Sequence, residues 1–184
     1  MIEMRVKRVL IPKERVAPAI GSEGEVKEKI EERTDVDLEF DSESGEVLIK
    51  GSEESPMGQM IASDVVKAIG RGFSPERAFD LLDEENYLDV VDILPYTGRS
   101  KKAKQRLKGR VIGQDGKTRR LIEEYTGTSL SIYGKTVSCI GPPDRVQVVR
   151  EAVEMLLDGV PHSAVYNFLE EKKKEWEKGL ELWK

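Results

Sequence analysis

Residues 112–130 read IGQDGKTRRLIEEYTGTSL, and residues 20–38 read IGSEGEVKEKIEERTDVDL. At this spacing of 92 residues, eight of nineteen positions are identical: Ile20/Ile112, Gly21/Gly113, Gly24/Gly116, Ile30/Ile122, Glu31/Glu123, Glu32/Glu124, Thr34/Thr126 and Leu38/Leu130. The likeness continues at a slightly shorter spacing, where GEVLIKG (45–51) answers GKTVSCIG (134–141). Further on, GFSPERAFDLLDEE (72–85) answers GVPHSAVYNFLEEK (159–172): each is a helix start followed by apolar residues at helical spacing. A repeat this long marks two copies of a domain, not a solenoid. A chain of 184 residues has room for two small domains.

Each copy has its own pattern. MRVKRVLI (4–11) alternates with period two and predicts a strand. VAPAI (16–20) predicts a short helix ending at Gly21, and VKEKIEERT (26–34) a helix with Val26 and Ile30 on one buried face. VDLEFD (36–41) and GEVLIKG predict two strands joined by a turn at Ser44-Gly45. Ser55-Pro56 opens a helix with Met57, Ile61, Val65 and Ile69 on one stripe, because proline fits a first helical turn. The second copy predicts a strand at YLDVVDIL (87–94), a short helix at LKGRVI (107–112) and a helix at KTRRLIEEYT (117–126). Strands at SLSIYG and TVSCIG follow, then a long helix over 143–159 with Val146, Val149, Val153, Leu156 and Leu157 inward. The order is strand, helix, helix, strand, strand, helix, twice over.

Net charge is −5, but it is unevenly placed. Residues 1–98 hold 12 Lys+Arg against 23 Asp+Glu, and residues 99–184 hold 18 against 12. RSKKAKQRLKGRVIGQDGKTRR (99–120) carries ten basic residues and one acid, Asp115. Salt confines each charge to about 10 Å, so a phosphate near this run feels the run rather than the total. One cysteine, Cys139, excludes an intrachain disulfide, and with one histidine, His162, it cannot build a zinc site. Cys139 is expected to pack as a small apolar residue in its strand. His162, after Pro161, suits helix capping or exposure. No apolar run approaches a membrane span, and the charged opening MIEMRVKRVL does not read as a signal peptide. An intracellular, cytoplasmic protein without metal or cofactor is expected.

Glycine serves where the backbone takes positive φ or is approached closely. A Gly-x-x-Gly turn between two helices leaves unpaired N–H groups at the start of the second helix, and these attract an anion. The plain alternative is a mere hinge. The motif occurs twice, each time followed ten residues later by Thr and then by an alternating strand.

VIGQDGKTRRLIEEYTGTSLSI (111–132) resembles a KH domain, whose pattern runs V-I-G-x-x-G-x-x-I-x-x-I-x-x-x-T-G-A-x-I-x-I. Two strands and a long helix after the motif resemble the eukaryotic-type arrangement, and the first copy has no room for the bacterial type's preceding strand and helix. The resemblance implies an α+β fold of two tandem eukaryotic-type (type I) KH domains. Each is a three-stranded sheet packed against helices with an extra C-terminal helix, over residues 1–85 and 86–184. Nearly the whole chain is similar to the small-subunit ribosome assembly factors known as the partner of the Nob endonuclease.

That resemblance implies single-stranded RNA binding, about four nucleotides per clamp, near the 3′ end of small-subunit rRNA, beside a processing endonuclease. It also implies a protein without catalytic activity, and a monomer is expected. Carried onto the second copy, the clamp is Gly113, Gln114, Asp115 and Gly116, and the apolar groove is Val111, Ile112, Leu121, Leu130 and Ile132. Arg110, Lys117, Arg119 and Arg120 would contact phosphate or base edges. Val111, Leu130 and Ile132 could equally be core. In the first copy Ile20, Gly21, Ser22, Glu23, Gly24 and Lys27 would form a weaker, secondary site, because Glu23 and Glu25 oppose phosphate. Asp115 departs from the cationic or glycine residue that many KH loops carry.

Other readings stay open. A KH adaptor of translation initiation or RNA degradation is one. A metal-dependent nuclease using the carboxylates of LLDEENYLDVVD (81–92) is another, against a helix end and an exposed strand face. The C-terminal EEKKKEWEKGLELWK puts Trp176, Leu180 and Trp183 on one stripe, which either packs on the domains or presents a partner surface.

Overall fold

A computed structural model of the chain describes residues 4–52 and 56–181. The expected helix opening at Ser55 and the Trp183 end of the C-terminal stripe lie outside the described residues. The chain divides into two compact units, Met1–Asn86 and Tyr87–Lys184. Both are α+β, each with three antiparallel strands and helices packed against them. Among the described residues no helix is long and apolar enough to cross a membrane.

The first unit runs β1 (Met4–Leu10), α1 (Val16–Ile20), α2 (Glu25–Thr34), β2 (Val36–Phe40), β3 (Glu46–Ser52), α3 (Pro56–Gly70) and α4 (Pro75–Ala78). The sheet order is β1-β3-β2, with Val9 opposite Val47 and Leu38 opposite Ile49. These four side chains are buried, as are Val26, Ile30, Val65, Ile69 and Phe73. Burial of this many apolar groups is the main term holding a domain of this size. The period-two pattern of β1 marks a strand but not its inner face: Val6 and Leu10 are 52% and 72% exposed while Val9 is buried. Met57 is also exposed, so the inward stripe of α3 is narrower than its periodicity suggests.

The second unit runs β4 (Tyr87–Asp92), α5 (Leu94–Thr97), α6 (Lys101–Ile112), α7 (Lys117–Thr126), β5 (Ser129–Tyr133), β6 (Thr136–Gly141), α8 (Pro143–Leu157) and α9 (His162–Glu181), with sheet order β4-β6-β5. β4 stops short of Leu94 because Asp92 Oδ1 accepts the Leu94 N–H at 2.9 Å, which turns the chain. α6 is twice the expected length. Ser100 Oγ caps it by accepting the Ala103 N–H at 3.1 Å, and Lys, Ala, Gln and Arg are strong helix formers. Only Leu107 and Val111 of α6 are buried, so apolar spacing could not reveal its first turns. The inward residues expected for α8 are all buried. Cys139 is buried too, and burial pushes its thiol up to about 12, so it behaves as a small apolar residue.

The segments after α3 and α8 diverge. α4 is one turn, continued by a 3-10 turn to Leu82. α9 has 20 residues, supported by Glu170–Lys174 (2.8 Å) and Lys173–Glu177 (3.9 Å) ion pairs, each spanning one turn. Its Val165 and Leu169 are fully buried, and Trp176 packs against the same core beneath the Arg145 guanidinium, 3.7 Å from the ring centre. Leu180 is exposed.

The eight shared residues of the duplication mostly have one job in each unit. Ile30 and Ile122 are fully buried, and Leu38 and Leu130 nearly or fully so. Thr34 and Thr126 each donate their hydroxyl to the carbonyl four residues back, at 2.6 Å. Glu31 and Glu123 each accept the N–H of that buried leucine, at 2.7 and 2.8 Å, tying the motif's second helix to the strand after it. Glu32 and Glu124 are exposed, and nothing in the structure explains their identity.

Candidate nucleic-acid interface

The two Gly-x-x-Gly loops have one backbone shape. Gly21 and Gly113 share φ near +78° with extended ψ (φ 79, ψ 173 and φ 76, ψ 170), and Gly24 and Gly116 are left-handed (φ 84 and 73). Between them, Glu23 and Asp115 also take positive φ, 55° and 52°. Aspartate tolerates this region better than most residues, which gives Asp115 a conformational reason.

The first glycine is fixed by space as well as by φ. A Cβ on Gly113 would lie 2.2 Å from Thr118 Oγ1 and 2.6 Å from the Thr118 nitrogen; Thr118 is 1% exposed and cannot yield. At Gly116 a Cβ would meet only the Arg120 guanidinium, at 3.4 Å. Gly113→Ala is therefore expected to destabilise the second unit by about 2–3 kcal/mol, and Gly116→Ala by about 1 kcal/mol. Thermal denaturation checks this. Equal losses would mean that crowding at Thr118 is relieved by backbone movement.

No side chain caps the start of α7: the Lys117 N–H donates to the Gln114 carbonyl, and no side chain takes the N–H groups that follow it. Gln114, Asp115, Lys117 and Arg120 are exposed around it. Ile112, Leu121 and Ile132 are half-buried, leaving part of each apolar surface reachable. Arg119 is also half-buried, with Nε 3.8 Å from the Glu123 carboxylate, so its guanidinium sits beside the anchor of β5.

Three expected contact residues are placed otherwise. Val111 and Leu130 are fully buried in the second unit's core, which corrects their assignment to the groove: they support its floor from below. Arg110 is engaged elsewhere. Its Nε donates to the Leu156 carbonyl at 2.9 Å and its terminal nitrogen to the Val160 carbonyl at 2.5 Å, so its donors serve the end of α8. In the first unit Arg15 does the same at the end of α3, donating to Ile69 (2.8 Å) and Phe73 (2.7 Å).

The first loop offers a weaker charge environment for an anion. Ser22 and Glu23 are exposed, Ile20, Gly21 and Gly24 half-buried, and Lys27 lies 3.8 Å from Glu31. Glu25 opens α2 where α7 has Lys117.

Arg106, Gly109, Thr118, His162 and Tyr166 were not among the expected site residues, yet they line a cleft against the second loop. His162 Nε2 is 2.9 Å from the Arg110 carbonyl, and Thr118 Oγ1 is 2.8 Å from the Tyr166 hydroxyl. The i, i+4 spacing of His162 and Tyr166 was readable, but not the packing of α9 beside the loop.

Three of the five carboxylates of residues 81–92 have separate structural tasks. Asp89 accepts from Arg150 Nε at 2.9 Å and from one of its terminal nitrogens at 2.6 Å, Asp92 turns the chain after β4, and Asp83 accepts the Glu85 N–H. Among the described residues no group of three His, Cys, Asp or Glu comes together to hold a metal.

A family model described as eukaryotic-type KH domain (KH-domain type I) matches residues 87–174, and a KH-domain model matches residues 6–57. A KH domain-containing protein of Methanocaldococcus jannaschii is 46% identical over 177 residues, 95% of this chain and 77% of its own length. The pre-rRNA-processing protein PNO1 of Saccharomyces cerevisiae is 22% identical, over 91% of this chain and 63% of its own. In a crystal structure of an a/eIF2alpha–aDim2p–rRNA complex from Pyrococcus horikoshii, a chain 45% identical to this one superposes with a TM-score of 0.87. That match spans 94% of this chain and 96% of the other. With two KH domains in tandem along its length, the chain belongs to the family of Dim2 and PNO1 proteins.

Proposed function

We propose that this chain is a single-stranded RNA-binding protein of small-subunit rRNA processing and ribosome assembly. Residues 1–85 and 86–184 serve as its two KH domains. The second domain supplies most of the affinity, and the first extends the footprint or meets a protein. The observation that carries this reading is the exposed Gln114–Asp115 loop, bounded by two positive-φ glycines, opening onto the uncapped start of α7 between Lys117 and Arg120. Its family relatives include a pre-rRNA-processing protein and a Dim2 protein solved with rRNA, which supports rRNA as the target.

In this reading the loop N–H groups, Lys117 and Arg120 hold backbone phosphates, Arg119 reaches along α7 toward the strand side, and Ile112, Leu121 and Ile132 receive bases. Positioning a processing endonuclease near the rRNA 3′ end is the role that fits such a clamp. The protein works in the cytoplasm by binding alone, so labelled RNA incubated with it and magnesium stays intact.

Fluorescence-anisotropy titration with RNA matching the 3′ end of small-subunit rRNA, against a scrambled control, tests the reading. Preference for the rRNA sequence is expected, with a log–log salt slope of about −2 to −4, the signature of three to five phosphates on a single strand. Equal binding to the scrambled RNA would remove the rRNA assignment. A translation-initiation role is the second reading, since the P. horikoshii complex also contains a/eIF2alpha. Binding of that factor to this chain without rRNA would favour it.

A further inference from the structure

α6 presents two different sides around its buried stripe. Ile112 and Lys108 lie on the side of the expected base groove, while Arg106 and Arg110, one turn apart, share the other face. On that other face a cleft opens between α6, the second Gly-x-x-Gly loop and the start of α9. Its wall holds Arg106, Arg110, Lys117, Thr118, His162 and Tyr166, and no carboxylate. Arg110 gives two of its five donors to the end of α8 and adds its charge to the cleft. Arg106 and Lys117 are exposed, and among the described residues neither is paired with an acid. The Arg110 carbonyl can only accept, so His162 Nε2 carries the proton in their 2.9 Å bond, and the imidazole is held in the wall by it. The Thr118–Tyr166 hydroxyl pair adds polar groups beside the cations. A cleft walled by one sign of charge and by hydroxyls suits a phosphate.

We infer that this cleft is a phosphate subsite that takes the RNA phosphodiester next to the segment held by the Gly113–Gly116 loop. It carries the backbone past the clamp, over the start of α9. The inference rests on the RNA-binding reading above. It explains why His162 and Tyr166, far from the motif in sequence, stand one helical turn apart against the loop.

The chain's only histidine makes the test site-specific, because its imidazole NMR signals belong to His162 alone. The full chain is titrated with an RNA of about four nucleotides, the length one KH clamp holds, and with one of about ten. The expected result is that the His162 signals move with the longer RNA only. Arg106→Ala lowers affinity for the longer RNA about three- to tenfold, reduces the salt slope by about 0.7, and leaves the short RNA unchanged.

If the longer RNA binds but His162 stays still and Arg106→Ala binds like wild type, the subsite is wrong while the RNA-binding reading stands. If inorganic phosphate alone moves His162 through Arg106 and the longer RNA does not, the cleft takes free phosphate, which also overturns the inference. If neither RNA binds the wild type, both readings fail together.

Discussion

Gln114→Asp is expected to lower the affinity of the full chain for single-stranded RNA about 30-fold, whereas Ser22→Asp changes it less than about threefold. Both positions are exposed in loops of the same backbone shape, so the two substitutions are sterically matched. The difference is electrostatic. In the second loop a new carboxylate joins Asp115 and faces a phosphate that Lys117, Arg120 and the α7 N–H groups would otherwise hold. Repulsion between near-surface charges about 4 Å apart is roughly 1–4 kcal/mol, and about 2 kcal/mol is a 30-fold change in affinity. In the first loop Glu23 and Glu25 already oppose an anion, and Lys27 leans to Glu31. One more acid there has little binding to remove. Anisotropy titration of both variants decides it, with melting curves to show that each remains folded. If Ser22→Asp abolished binding and Gln114→Asp did not, the roles of the two domains would be reversed.

The duplication made most of the fold legible, because most of its identities are residues with a physical task. Buried Ile and Leu, the Thr at the helix end and the Glu that holds the next strand recur at one spacing. The strand pattern of β1 was legible in period but not in polarity, since both of its faces carry apolar residues. The first turns of α6 were hidden because a helix of lysines and arginines has no apolar period to read. Val111 and Leu130 were misassigned for a related reason. A groove floor and the core beneath it are made of the same residue types, and only burial separates them. The i, i+4 pair Leu107 and Val111 on α6 was the available signal, once the helix was known to begin at Lys101.

The arginine clamp was not legible at all, and it leads to the largest expected loss of stability. Arg15 lies six residues before its first motif glycine and Arg110 three before its own, so aligning the two copies does not bring them together. Yet Arg15 binds the carbonyls of Ile69 and Phe73, and Arg110 those of Leu156 and Val160. Each pair of carbonyls belongs to the last turn of a long helix and the residue four beyond it. A cation there meets the negative end of the helix dipole and satisfies orphan acceptors.

Arg110→Ala removes two charge-assisted hydrogen bonds and leaves partly buried acceptors without their partner, an expected cost of about 3 kcal/mol. Arg110→Lys should recover less than half of that, because one ammonium on a flexible stem cannot span two carbonyls as a planar guanidinium does. For a unit near 100 residues the alanine variant should melt about 12–24 °C lower. Affinity for an RNA of about four nucleotides, measured well below that melting point, should change little, since two of the Arg110 donors are committed to α8 and its charge serves the cleft beyond the clamp. A variant that lost RNA binding while melting like wild type would show instead that Arg110 leaves the helix end to hold phosphate.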